Sequence, residues 1–292
     1  MEFNQTFSIL TYSFLAMTVL SLWVKKNSKL WGSLFVATCG FGLLSHRLEF
    51  VGIFFIAVFG GCLYGYFNLN VKGFVKAALA FFILMFAVVL SHHLTPGFNN
   101  WKIVSQVQLS PDSVPYSTYL NFDKTLIGFF ILLWGLRLSQ TKEDWRDIAK
   151  HLIPLFCLGA VVMLSASYLL GYIRLDPKVP TFIGLWAAKN LLFTCVAEEA
   201  LFRGFIQKEI LKLFQGKQWG VPVGIVIASV LFGLDHFWGG PKYVFLATLA
   251  GLFYGTVFYR SGRIESSILF HFLLNLTHIT LFSYPALTQP VV

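Results

Sequence analysis

Apolar residues run in long blocks along this chain, and polar residues fall between the blocks rather than alternating with them. Near-continuous apolar runs occupy about 7–24, 30–45, 50–68, 74–92, 125–138, 151–171, 181–197, 220–235, 243–259 and 266–285. A perpendicular helix needs roughly 20 apolar residues to cross a bilayer. Several of the runs are shorter, so the pattern predicts a polytopic all-α membrane protein with about eight to ten transmembrane helices. The first run is followed by Lys25 and Lys26 without a small-residue cleavage site, so it reads as a retained helix rather than a signal peptide. No soluble appendage, repeat or low-complexity tract interrupts the series. Residues 1–292 therefore read as a single integral membrane domain.

Composition agrees with that reading. Of the 292 residues, 57% are hydrophobic and 12% charged, where a soluble domain carries about 25% charged residues. The net charge of +9 raises the question of nucleic acid. Its placement argues against one, because Lys and Arg gather in alternate loops near 25–29, 72–76, 137–150, 203–217 and 260–263. The other loops hold only Arg47, Lys102, Lys124, Arg174, Lys178 and Lys242. That is a positive-inside distribution with both termini outside. The partner it implies is the lipid bilayer. Cys39, Cys62, Cys157 and Cys195 each stand alone in an apolar run without a CxxC, and Cys195 reads as a buried core residue.

Two polar stretches break the series. Residues 93–124, with Pro96, Pro111 and Pro115, read as an extracytoplasmic connecting loop. Residues 139–150 read as a short charged interfacial helix leading into the next span. In the first half, His46 with Arg47 and His92 with His93 sit at run ends and read as interfacial residues. In the second half, polar residues recur inside the apolar runs.

The strongest instance is the pair Glu198-Glu199, within Leu-Leu-Phe-Thr-Cys-Val-Ala-Glu-Glu-Ala-Leu-Phe-Arg203. A carboxylate in hydrocarbon is costly and normally faces a protein interior or cavity. On an α-helix Glu199 and Arg203 are i,i+4 neighbours that can pair. Glu198 points about 100° away, which leaves it as the candidate base. A structural ion pair at a helix end is the bland alternative.

Phe232-Gly-Leu-Asp-His236 places His236 one turn after Phe232, just before the break Phe-Trp-Gly-Gly-Pro. Glu198 and His236 lie 19 residues on either side of Lys217, so an antiparallel hairpin would set them at similar depth. His271-Phe-Leu-Leu-Asn275 puts imidazole and carboxamide on one helical face, continued by His278. Both can donate to a developing oxyanion, or they can serve as interhelical polar glue. Simple span counting places His236 and His271 at opposite membrane sides; a last helix starting near Gly262 moves His271 nine residues inward. Together these groups form hydrolytic machinery without a serine or cysteine nucleophile and without HExxH. Zinc held by Glu198, His236 and His271 is the chemical alternative.

On these residues the chain resembles the CPBP intramembrane proteases, also called the ABI family, which include CAAX prenyl proteases and bacteriocin-processing enzymes. Glu198-Glu199-x-x-x-Arg203 followed by Gly204, Phe232-x-x-x-His236 and His271-x-x-x-Asn275 resemble its three motifs, in order. The stretch from Gly251 through Tyr-Arg-Ser-Gly-Arg263 to His271 is similar to the segment preceding the last motif. The resemblance covers about 180–280 and leaves the first 150 residues without a family mark. It implies an eight-helix core around an intramembrane cavity. It implies that Glu198 activates water with His236, that His271 and Asn275 form the oxyanion site, and that Glu199 and Arg203 support the architecture. It also implies a metal-free glutamate mechanism, although zinc dependence has been argued for some members.

The implied activity is hydrolysis of a peptide bond in a membrane-associated or lipid-anchored protein. Eukaryotic relatives cleave prenylated CAAX tails, and bacterial relatives are linked to bacteriocin maturation or immunity. Compact length and short loops favour a prokaryotic inner membrane. The rival classes are a non-proteolytic immunity or binding protein and a transporter; the latter predicts repeat symmetry and a central pathway.

Overall fold

The computed structural model describes residues 2–24 and 28–288. Lys25 and Lys26, which contribute to the expected charge pattern, lie outside the described residues. Helices dominate, at 72% of the structure. In chain order they are α1 (Glu2–Ser21), α2 (Ser28–Leu44), α3 (Phe50–Asn68), α4 (Gly73–Ser91), α5 (Phe122–Gly135), α6 (Lys142–Leu169), α7 (Ile183–Lys189), α8 (Val196–Glu199), α9 (Lys208–Leu213), α10 (Gly220–Asp235), α11 (Pro241–Ser261) and α12 (Ile264–Leu281). Among the described residues, α3, α4, α6, α11 and α12 are long and apolar enough to cross a membrane, and Lys29–Leu44 and α10 are apolar but shorter. α5 has only 14 residues, about 21 Å of helix, which falls short of a roughly 30 Å hydrocarbon core. α4 and α6 expose large apolar side chains, among them Phe74, Phe81, Ile153 and Val161, as lipid-facing helices do.

The chain divides into two compact units. The first comprises residues 1–102, 119–140 and 192–201. Its core is α5, which buries Phe122, Asp123 and every residue from Thr125 to Leu133 against α1, α3, α4 and α8. Small residues let the neighbours close in. A Cβ on Gly60 would lie 3.1 Å from the Phe130 ring, and one on Gly128 would lie 2.9 Å from the Cα of Ala197. α1 and α2 pack side by side with two hydroxyl contacts, Thr18–Thr38 between the helices at 3.3 Å and Thr11 to Ser45, just past the end of α2, at 3.1 Å. Such contacts satisfy polar groups that lipid cannot.

The second unit comprises residues 103–118, 141–191 and 202–292. Here α11 is central, packed on α6, α10 and α12. Gly159 admits Phe270 and Phe253 to the side of α6; a Cβ there would meet them at 2.5 and 3.0 Å. Gly262, with φ +63°, ends α11 in the left-handed conformation that glycine adopts without strain. α12 therefore begins at Ile264, close to the expected start near Gly262.

Two expectations for the connections are corrected. Residues 93–124 are not merely a connecting loop: β1 (Trp101–Val107) and β2 (Tyr116–Leu120) pair in a two-stranded sheet. In the second unit Val104 and Tyr116 from these strands join Trp186 and Ile279 in a hydrophobic cluster, with Tyr284 packed against it. Residues 139–150 do not form a separate interfacial helix. Thr141 caps α6 through a reciprocal capping box with Asp144, which satisfies two end donors at once, and the 28-residue helix continues through Pro154 to Leu169. Arg263 hydrogen-bonds Asp144 and ties the start of α12 to that of α6.

Candidate active site

The motif-bearing backbone is helical without interruption from 183 to 213, but it is not a regular α-helix. Asn190–Cys195 and Ala200–Gln207 are π-helical, and the four residues of α8 lie between them. π-turns carry more residues per turn and occur frequently at functional sites. The α-helical phase expected between positions 199 and 203 is therefore replaced by a wider turn.

In the first unit, Glu198 is 6% exposed and Glu199 is fully buried. Lys124 Nζ, on the first turn of α5, donates to Glu198 Oε1 at 2.7 Å. The neighbouring Asp123 carboxylate is met by His93 Nδ1 at 2.9 Å, Asn100 Nδ2 at 3.0 Å and the Lys124 backbone N–H at 2.8 Å. His93 was expected to be merely interfacial; it belongs to this network.

In the second unit, Arg203 is fully buried. Its Nη2 donates to the carbonyl of Gly251 at 3.2 Å, and its guanidinium lies 4.4 Å from the Phe232 ring centroid and 5.2 Å from that of Tyr254. A cation over an aromatic face is favoured electrostatically, the more so when desolvated. One turn on, Gln207 Nε2 donates to the carbonyl of Gly255 at 3.0 Å. At both glycines an added Cβ would crowd the polar group. A Cβ on Gly251 would sit 3.1 Å from Arg203 Nη2, and one on Gly255 would sit 2.7 Å from Gln207 Oε1.

The two motif histidines meet the same aromatic residue. The rings of His236 and Phe232 lie 4.7 Å apart, those of His271 and Phe232 5.9 Å apart in an edge arrangement, and His271 stacks on Tyr254 at 4.7 Å and 17°. His271 is buried and His236 half-buried. The helix-counting difficulty thus disappears within this unit, because α10 and α12 bring their histidines to one ring. His236 caps α10, and its Nδ1 lies 2.7 Å from the carbonyl oxygen of Phe232. A carbonyl only accepts, so Nδ1 carries the proton and the basic lone pair is on Nε2. Asn275 Nδ2 donates to Asn190 Oδ1 at 3.3 Å. His278 does not extend this constellation: its Nε2 lies 3.1 Å from the carbonyl of Ser283, beyond the end of α12.

Sequence reasoning missed Lys124, Asn190 and Gln207. Asn190 and Gln207 were discoverable as polar residues within or beside an apolar run. Lys124 had no such signal, since it lies far from any motif. Among the described residues, no three His, Cys, Asp or Glu side chains are arranged to hold a metal ion. Cys195 is fully buried, as expected of a core cysteine.

Residues 180–277 match the family model described as type II CAAX prenyl endopeptidase Rce1-like. The match covers roughly a third of the chain, the same region in which the three motifs lie. No curated protein and no solved structure matches the chain. The family match supports an intramembrane protease in general; with the five apolar helices, it supports an integral membrane protein.

Proposed function

We propose that the protein is an intramembrane endopeptidase of glutamate type, acting on a membrane-associated or lipid-anchored protein. The observation that carries this reading is the ordered set of three motifs inside the segment matching type II CAAX prenyl endopeptidases. In the proposed reaction, Glu198 takes a proton from water as the water oxygen attacks the scissile carbonyl carbon. His236, basic at Nε2, shares in moving that proton. His271 and Asn275 donate to the oxyanion of the tetrahedral intermediate. The C–N bond then breaks, and the proton passes to the departing amine. Glu199 and Arg203 support the architecture. The reaction is proposed to need no metal. A prenylated CAAX-type tail is the first substrate to try, because that is the chemistry the matching family is named for. A prokaryotic inner membrane is the proposed location.

The test uses purified full-length protein in liposomes with a farnesylated peptide ending in a CAAX sequence, and separately with an unprenylated membrane-anchored peptide. Wild-type protein is expected to cleave at least one of them, and E198Q to fold and cleave neither. Failure of the wild type on both, or substantial turnover by E198Q, overturns the reading.

A further inference from the structure

The Lys124–Glu198 pair is built by two positions one turn apart on α5. Gly128 brings the backbones together: its missing Cβ would lie 2.9 Å from Ala197 Cα and 3.0 Å from Ala197 N. Ala197 immediately precedes Glu198. At that close approach Lys124, four residues before Gly128 and on the same face, reaches Glu198 Oε1 at 2.7 Å, with the two side chains only 19% and 6% exposed. The first turn of α5 is itself anchored. Asn100 Oδ1 accepts from the Phe122 N–H at 2.8 Å, and Asp123 is engaged by His93 and Asn100. Thus the carboxylate beside Lys124 in sequence has other partners, and the Lys124 ammonium is directed to Glu198.

We infer that Lys124 is a positioning residue for Glu198, fixing the orientation of its carboxylate and keeping it charged so that it can accept a proton. This rests on the proposed role of Glu198 as the base. An adjacent opposite charge favours the ionised form of a buried carboxylate, and a like charge opposes it. The other titratable groups near the pair in this unit include Glu199, Asp123 and His93, with Tyr12 coupled electrostatically to Asp123 and Arg47. Two of them are acids, which makes a compensating ammonium the more consequential. The inference also gives the first half of the chain, which carries no family motif, a part in the chemistry.

The experiment compares wild type, K124M, K124R and E198Q as full-length protein in lipid nanodiscs. Infrared difference spectra against E198Q isolate the protonated carboxyl band of Glu198 as a function of pH. In K124M the band is expected to persist to higher pH by about one unit or more, and in K124R to follow the wild type. Cleavage of the farnesylated CAAX peptide is expected to show the same signature. The loss in K124M should be larger at pH 6 than at pH 8, by a factor bounded by the shift itself at about tenfold per unit, and K124R should recover most of it. A purely structural lysine would instead lower activity by one factor at all pH values. An unshifted band or a pH-independent defect overturns the inference. If no peptide is cleaved by the wild type, the proposed activity fails, and the infrared titration still decides whether Lys124 governs Glu198. K124Q replaces K124M if the methionine variant does not assemble.

Discussion

His236 and His271, 35 residues apart in the chain, lean on one ring, that of Phe232, with centroids 4.7 and 5.9 Å away. That ring also carries the Arg203 guanidinium at 4.4 Å. Replacing Phe232 with leucine keeps much of the volume and removes the aromatic face and edge. The expected outcome is a fall in kcat of about tenfold to a hundredfold with little change in KM, since small displacements of catalytic groups cost that much. Steady-state kinetics of F232L beside its thermal transition check it.

Asn275 and Asn190 separate contact from orientation. N275A removes a proposed oxyanion donor and is expected to lower kcat by about a hundredfold or more. N190A leaves the donor in place and removes its partner, so the expected loss is smaller, about tenfold. Equal losses would mean that Asn190 has a direct role. Single-turnover rates under saturating peptide distinguish the two cases.

The junction of α10 and α11 depends on a missing side chain. A Cβ on Gly233 would lie 1.9 Å from Thr248 Oγ1 and 2.8 Å from the Val244 carbonyl oxygen. G233A is therefore expected to destabilise the protein by about 1–3 kcal/mol. Adding T248A should recover only part of this, because the carbonyl contact remains. Thermal unfolding in one fixed detergent measures both.

Outside the spans, the segment after α6 provides a pH-dependent contact. Asp176 is held below the usual carboxylate range, first by a hydrogen bond from the Ser110 hydroxyl and then by Lys178, whose ammonium is 3.0 Å away. A depressed folded-state value means that its contribution is full above the unfolded value of about 3.9 and is lost as pH falls through the folded value. Wild type should exceed D176N in thermal stability at neutral pH, and the gap should close below about pH 4. A gap that does not change with pH would contradict it.

Metal removal is expected to leave turnover intact. Elemental analysis of active protein, followed by chelation and zinc add-back, checks this. Stoichiometric zinc, lost together with activity and restored on add-back, would move the assignment to a metalloprotease.

The apolar blocks were legible because lipid demands uninterrupted hydrophobicity, and each of them falls on helical structure. The spacing His271-x-x-x-Asn275 was legible for a similar reason: α12 is regular, so four residues make one turn. The π-turns at 190–195 and 200–207 were not. A widened turn changes the phase of a helix without changing the residue types it uses. The strands 101–107 and 116–120 were obscured by the prolines between and around them, and β1 exposes four of its seven residues where β2 exposes one of five. Lys124 was invisible because its significance depends on Gly128, an ordinary residue in an apolar helix until the Ala197 backbone is seen against it.

Gly251 and Gly255 form a small-xxx-small pattern of the kind that usually draws two membrane helices into dry backbone contact. Here the space serves two purposes: it lets Ser229 and Ile225 of α10 approach, each 3.0 Å from where a Cβ would stand, and it admits polar side-chain ends. Each glycine leaves a notch for the end of a long polar side chain, Arg203 in one and Gln207 in the next, and each offers its own carbonyl at the bottom of the notch. The pattern thus seats two polar side-chain ends within the same seam that joins α10 to α11. A side chain at either glycine would therefore disturb two things at once, the seating of α10 on α11 and the polar group lodged beside it.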